Sequence, residues 1–128
     1  MDLLLDTNVL LWALMEPDRL GPATRDALEN PANTVQFSAA SIWEIAIKKA
    51  LYRPSFQASP EQILQGAREA GFVERPVTSE VAARVAYLPP HHRDPFDRLL
   101  IAQALSGPSA LYTADAQLTA YSELVFLV

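Results

Sequence analysis

Short β-like runs alternate with helical patterns along the chain, and this alternation restricts the fold more than any other feature. The run DLLL (2–5) is continuously apolar after its first residue, which is typical of a strand covered on both faces. Further strands are predicted at 34–38, 72–77, 110–113 and 124–127. Because strands that alternate with helices form parallel sheets with helices on both faces, the sequence predicts an α/β fold with a central, mainly parallel sheet.

Proline, glycine and capping residues mark the ends of the intervening helices. Pro17 ends the first helix, Ser59 and Asp94 can cap two later ones, and Gly107 ends the last long one. The predicted helices cover residues 8–15, 21–30, 39–51, 59–71, 78–88, 95–106 and 115–121.

The composition is typical of one globular domain spanning residues 1–128, with 50% hydrophobic and 20% charged residues. The absence of cysteine excludes disulfides, thiolate metal sites and a cysteine nucleophile. The start, MDLLLD, lacks the basic and small-residue segments of a signal peptide, and no apolar run is long enough to span a bilayer. We therefore expect a cytoplasmic protein that does not interact with membranes.

The net charge of −5 argues against a general electrostatic attraction to nucleic acid or acidic membranes. A local basic patch is still compatible with this charge. Its candidate residues are Lys48, Lys49, Arg53, Arg93 and Arg98.

Four acidic residues are predicted to meet at one edge of the sheet. Asp6 follows the first strand and Asp115 follows the strand at 110–113, while Glu44 and Asp97 lie early in two helices. The crevice outside the carboxyl ends of parallel strands is the usual ligand site of such a sheet. Asp6 lies between two apolar runs, and burying an unpaired charge costs several kcal/mol, so a hydrogen bond or counter-charge must compensate.

Helix capping is the alternative explanation for each acid taken singly. Asp6 and Asp115 suit N-cap positions, and Glu44 completes an S-x-x-E capping box. However, Glu44 is surrounded by apolar residues, and Asp97 shares a helical face with apolar residues three, four and seven positions later. Asp94, which precedes a proline, is instead predicted to cap its own helix.

Carboxylates that converge in a semi-buried pocket repel one another unless a cation is present. No Lys or Arg is interleaved with the four acids at matching positions, and His91 and His92 are predicted to be loop residues rather than ligands. Oxygen ligands without cysteine favour Mg²⁺ or Mn²⁺ over Zn²⁺. Thr7, Asn8 and Thr113 are candidates for neutral oxygens beside the ion.

Four segments around these acids resemble the acidic motifs of PIN-domain ribonucleases, most closely the VapC toxins of prokaryotic type II toxin–antitoxin pairs. The segments are LLLDTNVLLWAL, SAASIWEIAIKKAL, HHRDPFDRLLIAQAL and LYTADAQLTAY. The resemblance implies a PIN-like (Rossmann-like) three-layer α/β/α fold and an acidic quartet that binds Mg²⁺ or Mn²⁺. Carried over position by position, the quartet is Asp6, Glu44, Asp97 and Asp115. Asn8 and Thr113 match polar positions beside it.

The same resemblance implies a homodimer that is inhibited by a small VapB-type antitoxin, whose tail enters the acidic groove. The chain departs from these relatives at YRPSF (52–56) and at the Pro-Ser of SGPSALYTAD. Both departures lie away from the acids and affect loop shape.

The predicted activity is that of a metal-dependent endoribonuclease that hydrolyses single-stranded RNA. Asp6 and Asp97 are the main predicted metal ligands, and Glu44 and Asp115 complete the set or act through water. The predicted RNA contacts are Arg93, Arg98 and Lys48.

Two alternatives stay open at this point. One is a non-catalytic protein-interaction module whose acids only cap helices. The other is a phosphatase with Asp6 as its nucleophile, although such a site would need a second acid where the chain has Asn8.

Overall fold

The fold is built around a five-stranded sheet in which every strand pair is parallel. A computed structural model describes residues 1–52 and 57–128, so Arg53 and most of the YRPSF segment lie outside the described residues. The strands are β1 (Asp2–Leu5), β2 (Thr34–Ser38), β3 (Val73–Arg75), β4 (Ala110–Thr113) and β5 (Val125–Leu127), in the order β3-β2-β1-β4-β5. The predicted three-layer fold is confirmed, with a sheet that is wholly rather than mainly parallel.

Helices cover the sheet on both faces. They are α1 (Thr7–Met15), α2 (Pro22–Glu29), α3 (Ala39–Tyr52), α4 (Pro60–Glu69), α5 (Ser79–Arg84) and α6 (Pro95–Ser106). Two predicted helices differ in kind, because 78–88 ends in a 3₁₀ turn at Val85–Tyr87 and the segment after Asp115 is a 3₁₀ helix at Ala116–Tyr121. Every helix in the described part of the chain is too short or too polar to cross a membrane.

Successive leucines of β1 point to opposite faces of the sheet, and this alternation divides the core. Leu3 and Leu5 belong to a cluster that packs against α1, α3 and α4, including Val9, Leu10, Ile45 and Ile63. Leu4 belongs to a second cluster beneath α6, including Leu100, Ile101, Ala104 and Leu111. Burying each such leucine contributes about 1.5–3 kcal/mol, so the three leucines after the exposed Asp2 anchor this strand in the core.

The caps predicted for two helices are present. The Asp94 carboxylate accepts hydrogen bonds from the backbone amides of Phe96 and Asp97, at 2.8 and 3.2 Å, and so caps α6. Ser59 caps α4. Gly71, with a φ of 83°, adopts the left-handed conformation that ends the same helix.

The strand order places β1 at the point where the chain changes direction across the sheet. β2 and β3 lie on one side of β1, and β4 and β5 lie on the other. The backbone amide of Asp6 donates to the carbonyl of Tyr112 at 3.0 Å, which ties the end of β1 to the end of β4. Ligands of open α/β sheets bind at such a reversal, outside the carboxyl ends of the strands.

Candidate metal centre

Asp6 is buried at the end of β1, with 5% of its surface exposed. One carboxylate oxygen accepts a 2.8 Å hydrogen bond from the amide of Val9, which caps α1, and the other accepts from the hydroxyl of Thr113. Burial raises the pKa of Asp6, the hydrogen bonds from Thr113 and Val9 oppose this, and the charge of Glu44 adds to it. Asp6 is therefore both the N-cap of α1 and the buried acid predicted for the site, so the two interpretations of this residue are compatible.

Thr113 joins the two strand ends at this edge. Its fully buried hydroxyl donates to Asp6 and accepts from the backbone amide of Asp115 at 3.0 Å. The predicted position of Thr113 beside the acids thus corresponds to a direct hydrogen bond that fixes one oxygen of Asp6.

Asp97, Asp115 and His92 form a compact group next to Asp6. Nε2 of His92 lies 2.9 Å from Oδ2 of Asp97 and 3.6 Å from Oδ2 of Asp115. One donor atom from each of the three residues lies within 4.8 Å of the other two. Asp115 also accepts from the amide of Gln117 at 2.9 Å and so caps the following 3₁₀ helix.

The electrostatics of this group favour binding of a cation. Burial, with the charges of Asp94 and Asp6, raises the pKa of Asp97 from 3.8 to about 6, against the opposing effect of the hydrogen bond from His92. Burial lowers the pKa of His92, but its hydrogen bonds with Asp97 and Gln117 and nearby negative charges raise it overall. A divalent ion would relieve the repulsion among these carboxylates, and two carboxylates with one imidazole are a suitable donor set.

Glu44 lies on α3 in a network of its own. Oε1 of Glu44 accepts from the Thr7 hydroxyl at 2.7 Å, and Oε2 lies 2.8 Å from Nζ of Lys48. The hydroxyls of Thr7 and Ser41 are 2.9 Å apart; because a carboxylate only accepts, Thr7 gives its proton to Glu44 and Ser41 donates to Thr7.

Two expectations about Glu44 are wrong. Ser41 and Glu44 do not form a capping box, because both lie inside α3, which begins at Ala39. The expectation that no basic residue accompanies the four acids is also wrong, since Lys48 follows Glu44 by one helical turn and forms an ion pair with it. The charge of Glu44 is thus already compensated within the protein.

A PIN-domain family model matches residues 3–124. The chain belongs to the PIN-domain family. It is 32% identical over 124 residues to ribonuclease VapC22 of Mycobacterium tuberculosis, with 92% of this chain and 90% of the relative covered. The likeness inferred from the four acidic motifs is confirmed.

Solved structures share the fold of this PIN domain. VapBC2 from Rickettsia felis, solved with a DNA fragment from its promoter, matches with a TM-score of 0.69 and 15% identity, over 100% of this chain and 98% of that chain. FitAcB from Neisseria gonorrhoeae matches with a TM-score of 0.59 and 23% identity, over 97% and 96% of the two chains.

His92 is the residue of this PIN domain that sequence reasoning missed. It does lie in the loop before α6, as predicted, but its ring turns back onto Asp97 and Asp115. Its neighbour His91 instead makes an edge contact with the Tyr121 ring, at 5.0 Å between centroids. The only signal in the sequence was the nearness of HH to the acidic motif, which does not say which ring faces the acids.

Arg98 holds that loop in place. Its guanidinium donates to the phenolic oxygen of Tyr121 at 3.1 Å and to several backbone carbonyls. These carbonyls belong to Val85, Leu88, Pro89 and His92, at 2.9–3.3 Å. The arrangement favours a structural role over the RNA contact predicted for this residue.

We expect Arg98→Lys to destabilise the PIN domain by about 1–2 kcal/mol, because an ammonium group cannot reproduce the fork of donors that the guanidinium supplies. Denaturant unfolding of the metal-free protein measures this change. Unchanged stability combined with weaker RNA binding would instead support the predicted RNA contact.

The remaining predicted site residues lie at the surface. Asn8 is exposed in the first turn of α1, and Arg93 is exposed in the loop between His92 and Asp94. Lys48 is 39% exposed beside Glu44. Of the predicted RNA contacts, Arg93 is the residue whose guanidinium the described structure leaves without a protein partner.

Proposed function

We propose that this protein is a metal-dependent endoribonuclease that cuts single-stranded RNA, acting as the toxin of a VapBC-type pair. The observation that carries the proposal is that donor atoms of Asp97, Asp115 and His92 lie within 4.8 Å of one another, close enough to Asp6 for its charge to act on Asp97. Membership of the PIN-domain family and the similarity to ribonuclease VapC22 support the same activity.

Asp6, Asp97 and Asp115 would hold the metal, and Glu44, whose charge is shared with Lys48, would complete the set directly or through a water molecule. Mg²⁺ or Mn²⁺ in such a site neutralises charge on a phosphodiester and lowers the pKa of a water molecule. Thr113 fixes the orientation of Asp6, and Thr7 with Lys48 fixes that of Glu44. The protein thus supplies a prearranged set of oxygens.

Substrate binding depends on local basic residues, because the chain as a whole carries a net charge of −5. Arg93 is exposed in the loop directly after His92, from which it can reach a phosphate, and Lys48 lies beside Glu44. Single-stranded RNA suits this open edge better than duplex, since unstacked nucleotides can enter a cleft. Asn8 is a further polar contact in this proposal.

The proposed function also implies two protein partners, a second copy of this chain and an antitoxin. VapBC2 from Rickettsia felis is a toxin–antitoxin complex, and its fold matches this chain over its whole length. We infer a homodimer that acts in the cytoplasm and is inhibited by a VapB-like antitoxin whose tail occupies the acidic edge.

We expect the purified protein to cleave single-stranded RNA when Mg²⁺ or Mn²⁺ is present and to lose the activity when the ion is chelated. The assay compares one labelled RNA strand with its duplex and with DNA of the same sequence. Activity that survives chelation, or that persists in both Asp6→Ala and Asp97→Ala, would contradict the proposal. A protein whose acids only cap helices would also show no metal-dependent gain in stability.

A further inference from the structure

The ring of His92 is held by a hydrogen-bond acceptor at each nitrogen. Nδ1 lies 2.9 Å from Oε1 of Gln117, and Nε2 lies 2.9 Å from Oδ2 of Asp97. Because a carboxamide oxygen only accepts hydrogen bonds, Nδ1 carries a proton. When the proton between Nε2 and Asp97 is removed, the neutral ring presents the lone pair of Nε2 towards Asp97 and Asp115.

This arrangement resembles the way proteins prepare a histidine for metal binding. A ligating histidine donates its other ring N–H to a neighbouring acceptor, which fixes the tautomer and the ring orientation. Gln117 is that acceptor here, and it lies on the 3₁₀ helix capped by Asp115. The same short segment therefore orients one carboxylate and the imidazole.

The backbone beneath His92 is also fixed. Arg98 donates to the carbonyl of His92 at 3.3 Å and to the hydroxyl of Tyr121 at 3.1 Å, joining the loop to both α6 and the 3₁₀ helix. The His92 side chain is only 16% exposed. A ring held in this way does not have to be ordered when an ion binds.

We propose that His92 is a nitrogen ligand of the metal centre, together with Asp97 and Asp115, and that it makes the centre prefer a first-row transition ion over Mg²⁺. This inference rests on the proposed metal-dependent function and adds a ligand outside the acidic quartet. On metal binding, the ion displaces the proton that joins Nε2 to Asp97.

The chemical reason for the preference is the nature of the donor. Mg²⁺ is bound almost entirely by oxygen, whereas an imidazole nitrogen binds transition ions more favourably. Mn²⁺ is a suitable probe, because it accepts both carboxylate and imidazole ligands and is paramagnetic. A quartet of carboxylates alone would discriminate less between Mn²⁺ and Mg²⁺.

The direct test is pulsed electron paramagnetic resonance of the Mn²⁺-loaded full chain. We expect the hyperfine coupling of a directly bound nitrogen, and we expect ¹⁵N-labelling of histidine to change it. The coupling should persist in His91→Gln, which alters the adjacent histidine that faces Tyr121, and should vanish in His92→Gln. A wild-type spectrum without histidine nitrogen overturns the proposal, whether or not the variants fold.

Ion affinity gives a second readout by calorimetry. His92→Gln should weaken Mn²⁺ binding by at least about ten-fold, since changing even the outer hydrogen-bond partner of a metal-bound histidine costs about 10–100-fold, and it should weaken Mg²⁺ binding much less. Gln117→Leu should shift the two affinities in the same directions. Equal losses for both ions, or no loss, would show that His92 only pairs with the carboxylates as an imidazolium.

These measurements separate the inference from the proposed function. Nitrogen coordination without RNA cleavage would support the ligand and reject the nuclease activity. Metal-dependent cleavage by a protein whose Mn²⁺ spectrum lacks histidine nitrogen would support the nuclease and reject His92 as a ligand.

Discussion

Asp97→Asn should lower the rate of RNA cleavage by on the order of 10³-fold without unfolding the protein. The substitution keeps the size of the side chain but removes a charged oxygen from the group formed with His92 and Asp115. A bound metal supplies several kcal/mol of transition-state stabilisation, and each 1.36 kcal/mol corresponds to about a tenfold change in rate. Initial rates on a labelled single-stranded RNA at saturating Mn²⁺ measure the effect, with circular dichroism to check the fold.

Asp94→Asn is the matched control, because it makes the same change three residues earlier in the same motif. The Asp94 carboxylate caps α6 through the amides of Phe96 and Asp97, and asparagine caps helices about as well as aspartate. This variant should keep most of its activity. A toxin of this kind should stop cell growth when it is expressed. We therefore expect cells that express Asp97→Asn to grow and cells that express Asp94→Asn to stop growing, as with the wild type. Equal losses of activity would mean that Asp97 contributes no more than a general negative charge at the start of the helix.

The fold could be predicted from the sequence because each local signal is strong and agrees with its neighbours. Residues 3–5 are all leucine, and the structure uses both faces of the strand, with Leu3 and Leu5 on one side and Leu4 on the other. The segment after Asp115 is less determined. It is helical as predicted, but it forms a 3₁₀ helix, and spacing of apolar residues over six positions does not distinguish the two.

The acids of the site could be predicted because they follow strands or begin helices, where topology alone brings them together. Their capping roles leave a second oxygen on each acid: that of Asp115 faces His92, and that of Asp6 accepts from Thr113. The pairing of Glu44 with Lys48 was readable from the spacing of one helical turn. The position of the His92 ring could not be predicted, because it depends on the hydrogen bonds by which Arg98 holds the preceding loop against α6.

Asp97→Asn should also stabilise the metal-free protein, by on the order of 2 kcal/mol near neutral pH. Burial and the neighbouring acids raise the pKa of Asp97 to about 6, so the ionised carboxylate is less favourable in the folded chain than in the unfolded one. One pKa unit corresponds to about 1.4 kcal/mol, and asparagine removes the penalty because it carries no charge. A residue that promotes cleavage would thus weaken the fold that holds it.

The stability difference between Asp97→Asn and the wild type should depend on pH, because only the wild-type carboxyl titrates. Below about pH 4 the carboxyl is protonated in both states and the two proteins should be equally stable, whereas through about pH 4–6 the folded chain binds more protons and wild-type stability falls as pH rises. Urea unfolding of both proteins in chelator, at several pH values, measures the difference. Saturating Mn²⁺ should reverse it at neutral pH, because the wild type, with one more charged ligand, gains more binding free energy than the variant. A variant that is less stable than the wild type in chelator at every pH would show that Asp97 stabilises the fold instead, and that its carboxylate needs no cation.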